Sequence, residues 1–286
     1  MRRARRLASR LALAAAIAAG ACCCDDGPGP PPRDEPPDPS RVSVLARDLD
    51  QPVGLAADSG GALYVAERFG DRISRIAPSG VTALARGIAR PIGLALGIGD
   101  TLFATTELGR LYTIAPGGDT SSVAVIESAL AGVARWPSGA IFACDVFGGR
   151  VLEIARDGSS TVRAPDLSYP AGIEIESVTL DGSFFVSGAL AGTVHRLFDH
   201  EPSREVYVSA SEPPSAALDV RFHSDELFIA DNVSGTIWKT PDGAMFERYI
   251  RNLVSPAAMA FSGDTLYVSS PDEDLVYRVL PPAEPQ

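Results

Sequence analysis

The segment SRVSVLARDLDQPVGLA at 40–56 returns as SGVTALARGIARPIGLA at 79–95, with nine identities displaced by 39 residues. The repeat continues beyond this pair. Short apolar strands recur as ALYVA, TLFAT, AIFAC, SFFVS, ELFIA and TLYVS, their second residues at 63, 102, 141, 184, 227 and 266. Each is preceded by a turn signal such as DSGG, LDG or HSDE, and followed by a further strand such as RISRIA or RLYTIA. A Pro-x-Gly/Ala-apolar segment precedes each copy. A fixed period of about 40 residues marks a repeat architecture. No 3.6-residue periodicity follows residue 40, so helical solenoids are excluded. Four strands per repeat make a propeller blade, and six repeats make six blades.

The echo at 40–56 also explains how the ring closes. VTALAR at 81–86 reads as the outermost strand of blade one, and VSVLAR at 42–47 is the same kind of strand placed before any complete blade. The last copy ends at LVYRVL, 275–280, without an outer strand of its own. The N-terminal strand is expected to fill that vacancy, leaving no open edge. The expected fold is all-β: a single six-bladed β-propeller over 41–280, with an unstructured tail at 281–286.

Before the ring, MRRARR precedes the apolar run LALAAAIAA, which is too short to span a bilayer, and 1–21 reads as an export signal. AGAC at 19–22 resembles a bacterial lipobox with Cys22 as the acylated residue. Ala19 stands where a lipobox usually has leucine, which leaves plain secretion as the second reading. Residues 22–40 comprise the anchor cysteine and an acidic, proline-rich spacer, DDGPGPPPRDEPPDPS at 25–40, unable to build a core. The expected location is therefore the cell envelope: lipid-anchored at the outer membrane, or otherwise periplasmic or secreted. Five arginines lie in the first ten residues; setting them aside from 25 basic residues leaves 20 against 36 acidic ones, a balance of −16. Such a surface repels a phosphate backbone, so nucleic acid is not an expected partner. Cys22, Cys23 and Cys24 sit together, which leaves Cys144 as the one cysteine of the ring and no disulfide framework. It reads as a small core residue.

LDQPVGLAADSGGALYVAERFGDRISRIAPSG and LFIADNVSGTIWKTPDG resemble NHL-type repeats. The whole ring is similar to the NHL, SMP-30/gluconolactonase and strictosidine-synthase-like propellers. The lactonase resemblance implies a divalent cation held by Glu-Gly-Pro, Pro-Asn-Gly and Pro-Asp-Gly motifs. Here these correspond to Asp50-Gln51-Pro52, Pro170-Ala171-Gly172 and Pro214-Ser215-Ala216, so only Asp50 keeps a carboxylate. A hard cation needs several oxygen ligands, and the metal-lactonase mechanism does not carry over.

The six Pro-x-Gly segments are expected to crowd the axis with small residues: Gly54, Gly93, Gly132, Gly172, Ala216 and Ala258. One residue earlier stand Val53, Ile92, Ala131, Ala171, Ser215 and Ala257, none of them charged. Glu174 and Glu176 alternate within IEIES and read as a solvated strand face. His195 is assigned to a strand, and His200 and His223 to loops.

Glu67, Asp145 and Asp231 end the second strand of alternate blades. They have two readings, caps for the following turn or carboxylates converging on the channel mouth. Asp50, Arg90, Tyr169 and Glu212 are placed on the rim of the same opening. The expectation is a monomeric binding module for a protein, peptide or envelope ligand, without a cofactor. The alternative is a divergent calcium-dependent hydrolase built on Asp50, Glu67, Asp145 and Asp231.

Overall fold

The computed structural model describes residues 36–136, 138–176, 182–198, 204–209 and 213–283. They form six antiparallel sheets of four strands each. Apart from one 3-10 turn at Ile98–Asp100, no helix occurs among the described residues. Numbered along the chain, the inner strands of the blades are Pro52–Ala57, Pro91–Leu96, Leu130–Arg135, Pro170–Glu176, Ala217–His223 and Met259–Ser262.

Blade one shows how the sequence builds the unit. After the inner strand, Asp58 turns the chain: its carboxylate accepts from the Ala62 amide at 2.8 Å and the Tyr64 hydroxyl at 3.0 Å. Gly61, at φ +82°, takes the left-handed position of that turn. The second strand, Leu63–Glu67, is buried along its entire length because neighbouring blades cover both faces. Exposure returns only further out: Arg75 is exposed within Arg72–Ala77, and the outer strand Gly80–Arg86 is mostly exposed.

The inner strands approach one another closely. A Cβ on Gly54 would lie 2.1 Å from the Ile92 carbonyl oxygen, and one on Gly93 would lie 2.3 Å from that of Ala131. Glycine is required there by backbone contact across the blade boundary.

The ring closes as its sequence implies. Val42–Ala46 pairs antiparallel with Leu275–Val279, opposing Val42 to Val279 and Val44 to Tyr277. Arg41 fastens the junction by donating to the Leu280 carbonyl at 3.1 Å and the Tyr249 carbonyl at 2.9 Å. Its guanidinium also lies 4.6 Å from the Tyr249 ring centroid.

His223 departs from the loop assignment: it is the last residue of the blade-five inner strand. There it stacks on Phe261 of blade six at 4.1 Å and contacts Asp264 at 3.2 Å. Cys144 is fully buried in the blade-three core, where burial, reinforced by Asp219 and Asp145, pushes its thiol well above the ordinary range.

Candidate functional site

One face of the ring gathers the turns after the second strands and the loops leading into each inner strand. Backbone hydrogen bonds join them: the amides of Arg68, Glu107, Val146, Ala189 and Asn232 donate to the carbonyls of Gln51, Arg90, Ala129, Tyr169 and Ala216. These acceptors are the residues immediately before the inner strands of blades one to five. The ladder thus fixes the repeat register.

Around this mouth the structure brings together some of the expected residues. The Asp50 carboxylate meets Arg72 at 2.9 Å, and Arg72 also holds Glu67. Arg90 pairs with Glu107 at 3.1 Å, and the same carboxylate takes the fully buried Arg68 at 3.0 Å. Gln51 completes that cluster by accepting from Arg68 at 3.1 Å. Arg68 and Glu107 were not among the expected site residues; their 39-residue spacing was the available signal, since it places them on adjacent blades at one position. Tyr169 packs edge-on against Phe147, 6.5 Å between centroids. Glu212 and Cys22 lie outside the described residues.

The three alternate-blade carboxylates each turn back onto their own blade. Glu67 accepts from Arg72, from Ser74 and from the Asp50 amide. Burial pushes its pKa up, but Arg72, the amide and Ser74 together hold it below the usual carboxylate value. Asp145 binds Arg150 at 2.7 Å and caps the Gly148 amide at 2.8 Å. Asp231 accepts from the Ser234 hydroxyl at 2.7 Å and from the amides of Ser215 and Ala216. Among the described residues, no three His, Cys, Asp or Glu side chains group into a metal-holding arrangement. Asn232, at the mouth, keeps its buried side-chain oxygen without a partner in the described structure.

The channel itself departs from the expected lining. In blade one, Pro52 faces Glu67 and Gly54 faces Ala66; in blade five, Ala217 faces Asp231 and Asp219 faces Ala230. Ala217, Leu218 and Asp219 therefore occupy the Pro-x-Gly positions, and the assignment of Ser215 and Ala216 to the axis is wrong by three residues. The longer connection into blade five hid this. A carboxylate, Asp219, consequently stands at the axis where glycine stands in blades one to four.

Glu174 is also displaced from its expected place on a solvated face. The inner-strand position two residues beyond the glycine reads Ala56, Ala95, Ala134, Glu174, Arg221 and Ala260 around the ring. Each of these faces an aromatic residue on the second strand: Tyr64, Phe103, Phe142, Phe185, Phe228 and Tyr267. Four alanines are thus interrupted by an acid and a base on adjacent blades. Arg221 donates to Asp219 at 2.8 Å and to the Met259 carbonyl at 2.9 Å, and lies 3.6 Å from Glu174. The Met259 amide donates to the other Asp219 oxygen at 2.7 Å. Burial is the main influence on both acids. It raises Asp219 above its ordinary value and Glu174 to about 7, although Arg221 opposes it. Glu176 pairs with Arg196 at 3.0 Å.

Arg221 borders two parts of the channel. Towards the mouth, a cavity of about 60 Å³ is walled chiefly by the glycine, alanine and aliphatic residues of the inner strands. Towards the opposite face, a cavity of about 400 Å³ is lined by the inner strands of all six blades, Glu174 and Arg221 among them, whereas the Arg135 guanidinium turns outward to the Gly139 turn and a side cavity shared with Arg156.

No protein-family profile matches the chain, and no curated protein sequence matches it. Solved structures do resemble it. A gluconolactonase from Xanthomonas campestris superposes with TM-score 0.73 at 15% identity, covering 91% of this chain and 99% of that one. Virginiamycin B lyase from Staphylococcus aureus gives 0.65 at 17%, covering 84% and 99%. A putative oxidoreductase (glucose dehydrogenase) from Thermus thermophilus gives 0.64 at 16%, covering 84% and 99%. These likenesses establish the six-bladed propeller, a scaffold that hosts unrelated chemistries.

Proposed function

We propose that this chain is a binding propeller, exported and lipid-anchored through Cys22, that docks a protein partner on the face formed by the turns after the second strands. One observation carries the reading. Five of the six turns present an apolar side chain at the same position: Phe69, Leu108, Phe147, Leu190 and Val233, with Asp272 in the sixth. Phe69 is 60% exposed, Leu108 50% and Leu190 52%. Arg90 lies over the Phe69 ring at 6.0 Å, and Tyr169 abuts Phe147. Aromatic residues and arginine within a polar rim make the composition of a protein-recognition surface. The carboxylates beneath this ring are occupied by their own turns and arginines, which supports recognition over catalysis.

A photo-crosslinking residue placed at Leu108 or Leu190 in cells tests this. Met245, exposed in a turn between the two outer strands of blade five, serves as the control on the opposite face. A discrete protein adduct from 108 and 190 and none from 245 is expected. Equal labelling at all three, or none at any, would refute the docking face.

The likeness to gluconolactonase structures favours a second reading, a divergent hydrolase. It predicts metal-dependent opening of a lactone that disappears in an Asp50→Asn, Glu67→Gln double variant.

A further inference from the structure

On the face opposite the turn ring, and independent of the docking surface, blade three breaks a rule that the other five keep. The inner-strand residue one beyond the alanine ring reads Ala57, Leu96, Arg135, Ile175, Phe222 and Phe261. Everywhere but in blade three this side chain is apolar and packs into the core shared with the preceding blade. In blade three it is Arg135, and the space between blades two and three holds a cavity of about 240 Å³. Phe103, Thr113 and Val123 wall this cavity from blade two, and Ile141 walls it from blade three.

A second departure meets the first. The turn after the third strand begins Ala77-Pro78 in blade one and Ala115-Pro116 in blade two, but Ala155-Arg156 in blade three. Arg156 borders the same cavity. A Cβ on Gly139 would lie 3.5 Å from Arg135 Nη2 and 3.8 Å from Arg156 Nη2, so the two guanidiniums converge on one turn. Neither has a hydrogen-bond or ion-pair partner among the described residues. Asp157, next in sequence, gives its carboxylate to the Ser159 amide at 2.9 Å and hydroxyl at 2.6 Å. Glu153 lies on the opposite face of its strand from Leu152 and Ile154, which pack against blade two.

We propose that this cavity binds a phosphate monoester with a small apolar body, its phosphate spanning Arg135 and Arg156 and its body against Phe103, Val123 and Ile141. Two like charges brought together repel, and a bound dianion relieves that repulsion. Each guanidinium presents planar donors that match two oxygens at once. A phosphate monoester carries close to two negative charges above its second pKa of about 6, whereas a carboxylate would neutralise only one of the two cations. An apolar cavity of roughly 150 Å³ holds benzene, so about 240 Å³ has room for a phenyl-sized body. An apolar side chain at 135 would fill the space without electrostatic cost, as its counterparts do, and departures of this kind concentrate at working sites.

Calorimetric titration at pH 8 with phenyl phosphate, inorganic phosphate and phenol provides the test. One phenyl phosphate per chain is expected, held at least tenfold more tightly than phenol and several-fold more tightly than inorganic phosphate. Arg156→Ala, in an exposed turn, should weaken it at least tenfold. Arg135→Leu places there the residue found in blade two and should abolish binding; Arg135→Gln is read in its place if the leucine variant does not melt cooperatively. Arg47→Ala removes the same charge from an exposed position beside the closing strand of blade six, and should bind as wild type does. No binding of phenyl phosphate, equal affinity for it and either other probe, an unchanged Arg156→Ala, or an equal loss in Arg47→Ala would overturn the site.

Discussion

Replacing Glu174 by glutamine should stabilise this protein above neutral pH. The side chain lies deep in the ring; the 27% of its surface that remains exposed borders the axial cavity. Burial lifts its carboxyl from 4.5 to about 7, and Arg221 only partly opposes the shift. An acid whose pKa is higher folded than unfolded binds more protons in the native state. Stability is therefore fully retained below 4.5, declines as pH rises towards 7 and levels off above it. The separation between those two values corresponds to about 3 kcal/mol. Glutamine keeps the shape and cannot ionise, so the variant should match wild type near pH 4.5 and gain up to about 3 kcal/mol at pH 8. In a ring of this size that is roughly a 6–12 °C rise in melting temperature. Urea midpoints measured at intervals from pH 4.5 to 8 would show wild type weakening relative to the variant. If the two curves run parallel across the range, Glu174 is ionised throughout and the account of the channel is wrong.

Deleting residues 41–48 should lower the melting temperature of the whole ring, because it strips the covering strand from Leu275–Val279 and opens an edge; an unchanged cooperative melt would show that closure adds nothing. Cys22→Ser, with Cys23 and Cys24 intact, should move the protein from the membrane to a soluble exported fraction, whereas retention in the membrane without lipid mass on the wild-type N-terminus would remove the anchor. Calcium titration should release no heat, since Glu67 and Asp145 are already bound by arginine; micromolar binding that vanished in an Asp145→Asn, Asp231→Asn double variant would make them ligands.

The fold was legible because propeller geometry is written locally. Strand length, turn residues and the small residues at the blade boundary recur in each copy, and the displaced outer strand revealed how the ring closes. The channel was less legible for a physical reason. Its lining depends on which inner-strand residue opposes which second-strand residue, and a slip of a few residues changes the occupant. Aligning blade five on Pro214 gave Ser215 and Ala216. Alignment on the buried aromatics Phe228 and Phe185 would have placed Arg221 and Glu174 in one ring with four alanines. The alternating glutamates at 174 and 176 followed a strand pattern correctly, but alternation alone does not distinguish solvent from a central channel. The pairing of Arg68 with Glu107 crosses a blade boundary, so no local pattern marks it and only the repeat spacing of 39 residues could have pointed to it.

A repeat protein supplies its own reference state, because each position has five counterparts in the same molecule. At the ring of Ala56, Ala95, Ala134 and Ala260, alanine fits beneath the facing aromatic and leaves no polar group to satisfy. Glu174 and Arg221 depart from it on neighbouring blades, and Asp219 departs from glycine two residues earlier on the same strand as Arg221. Burying these charges is costly even when they are paired, and an apolar set of similar volume commonly folds as well or better. Burial of Glu174 also costs stability as that acid ionises, and Arg221 offsets only part of the cost. Packing thus gives no reason for a charged triad in place of alanine and glycine, and departures of this kind concentrate at working sites. The triad ties the inner strands of blades four, five and six together at the narrow part of the channel.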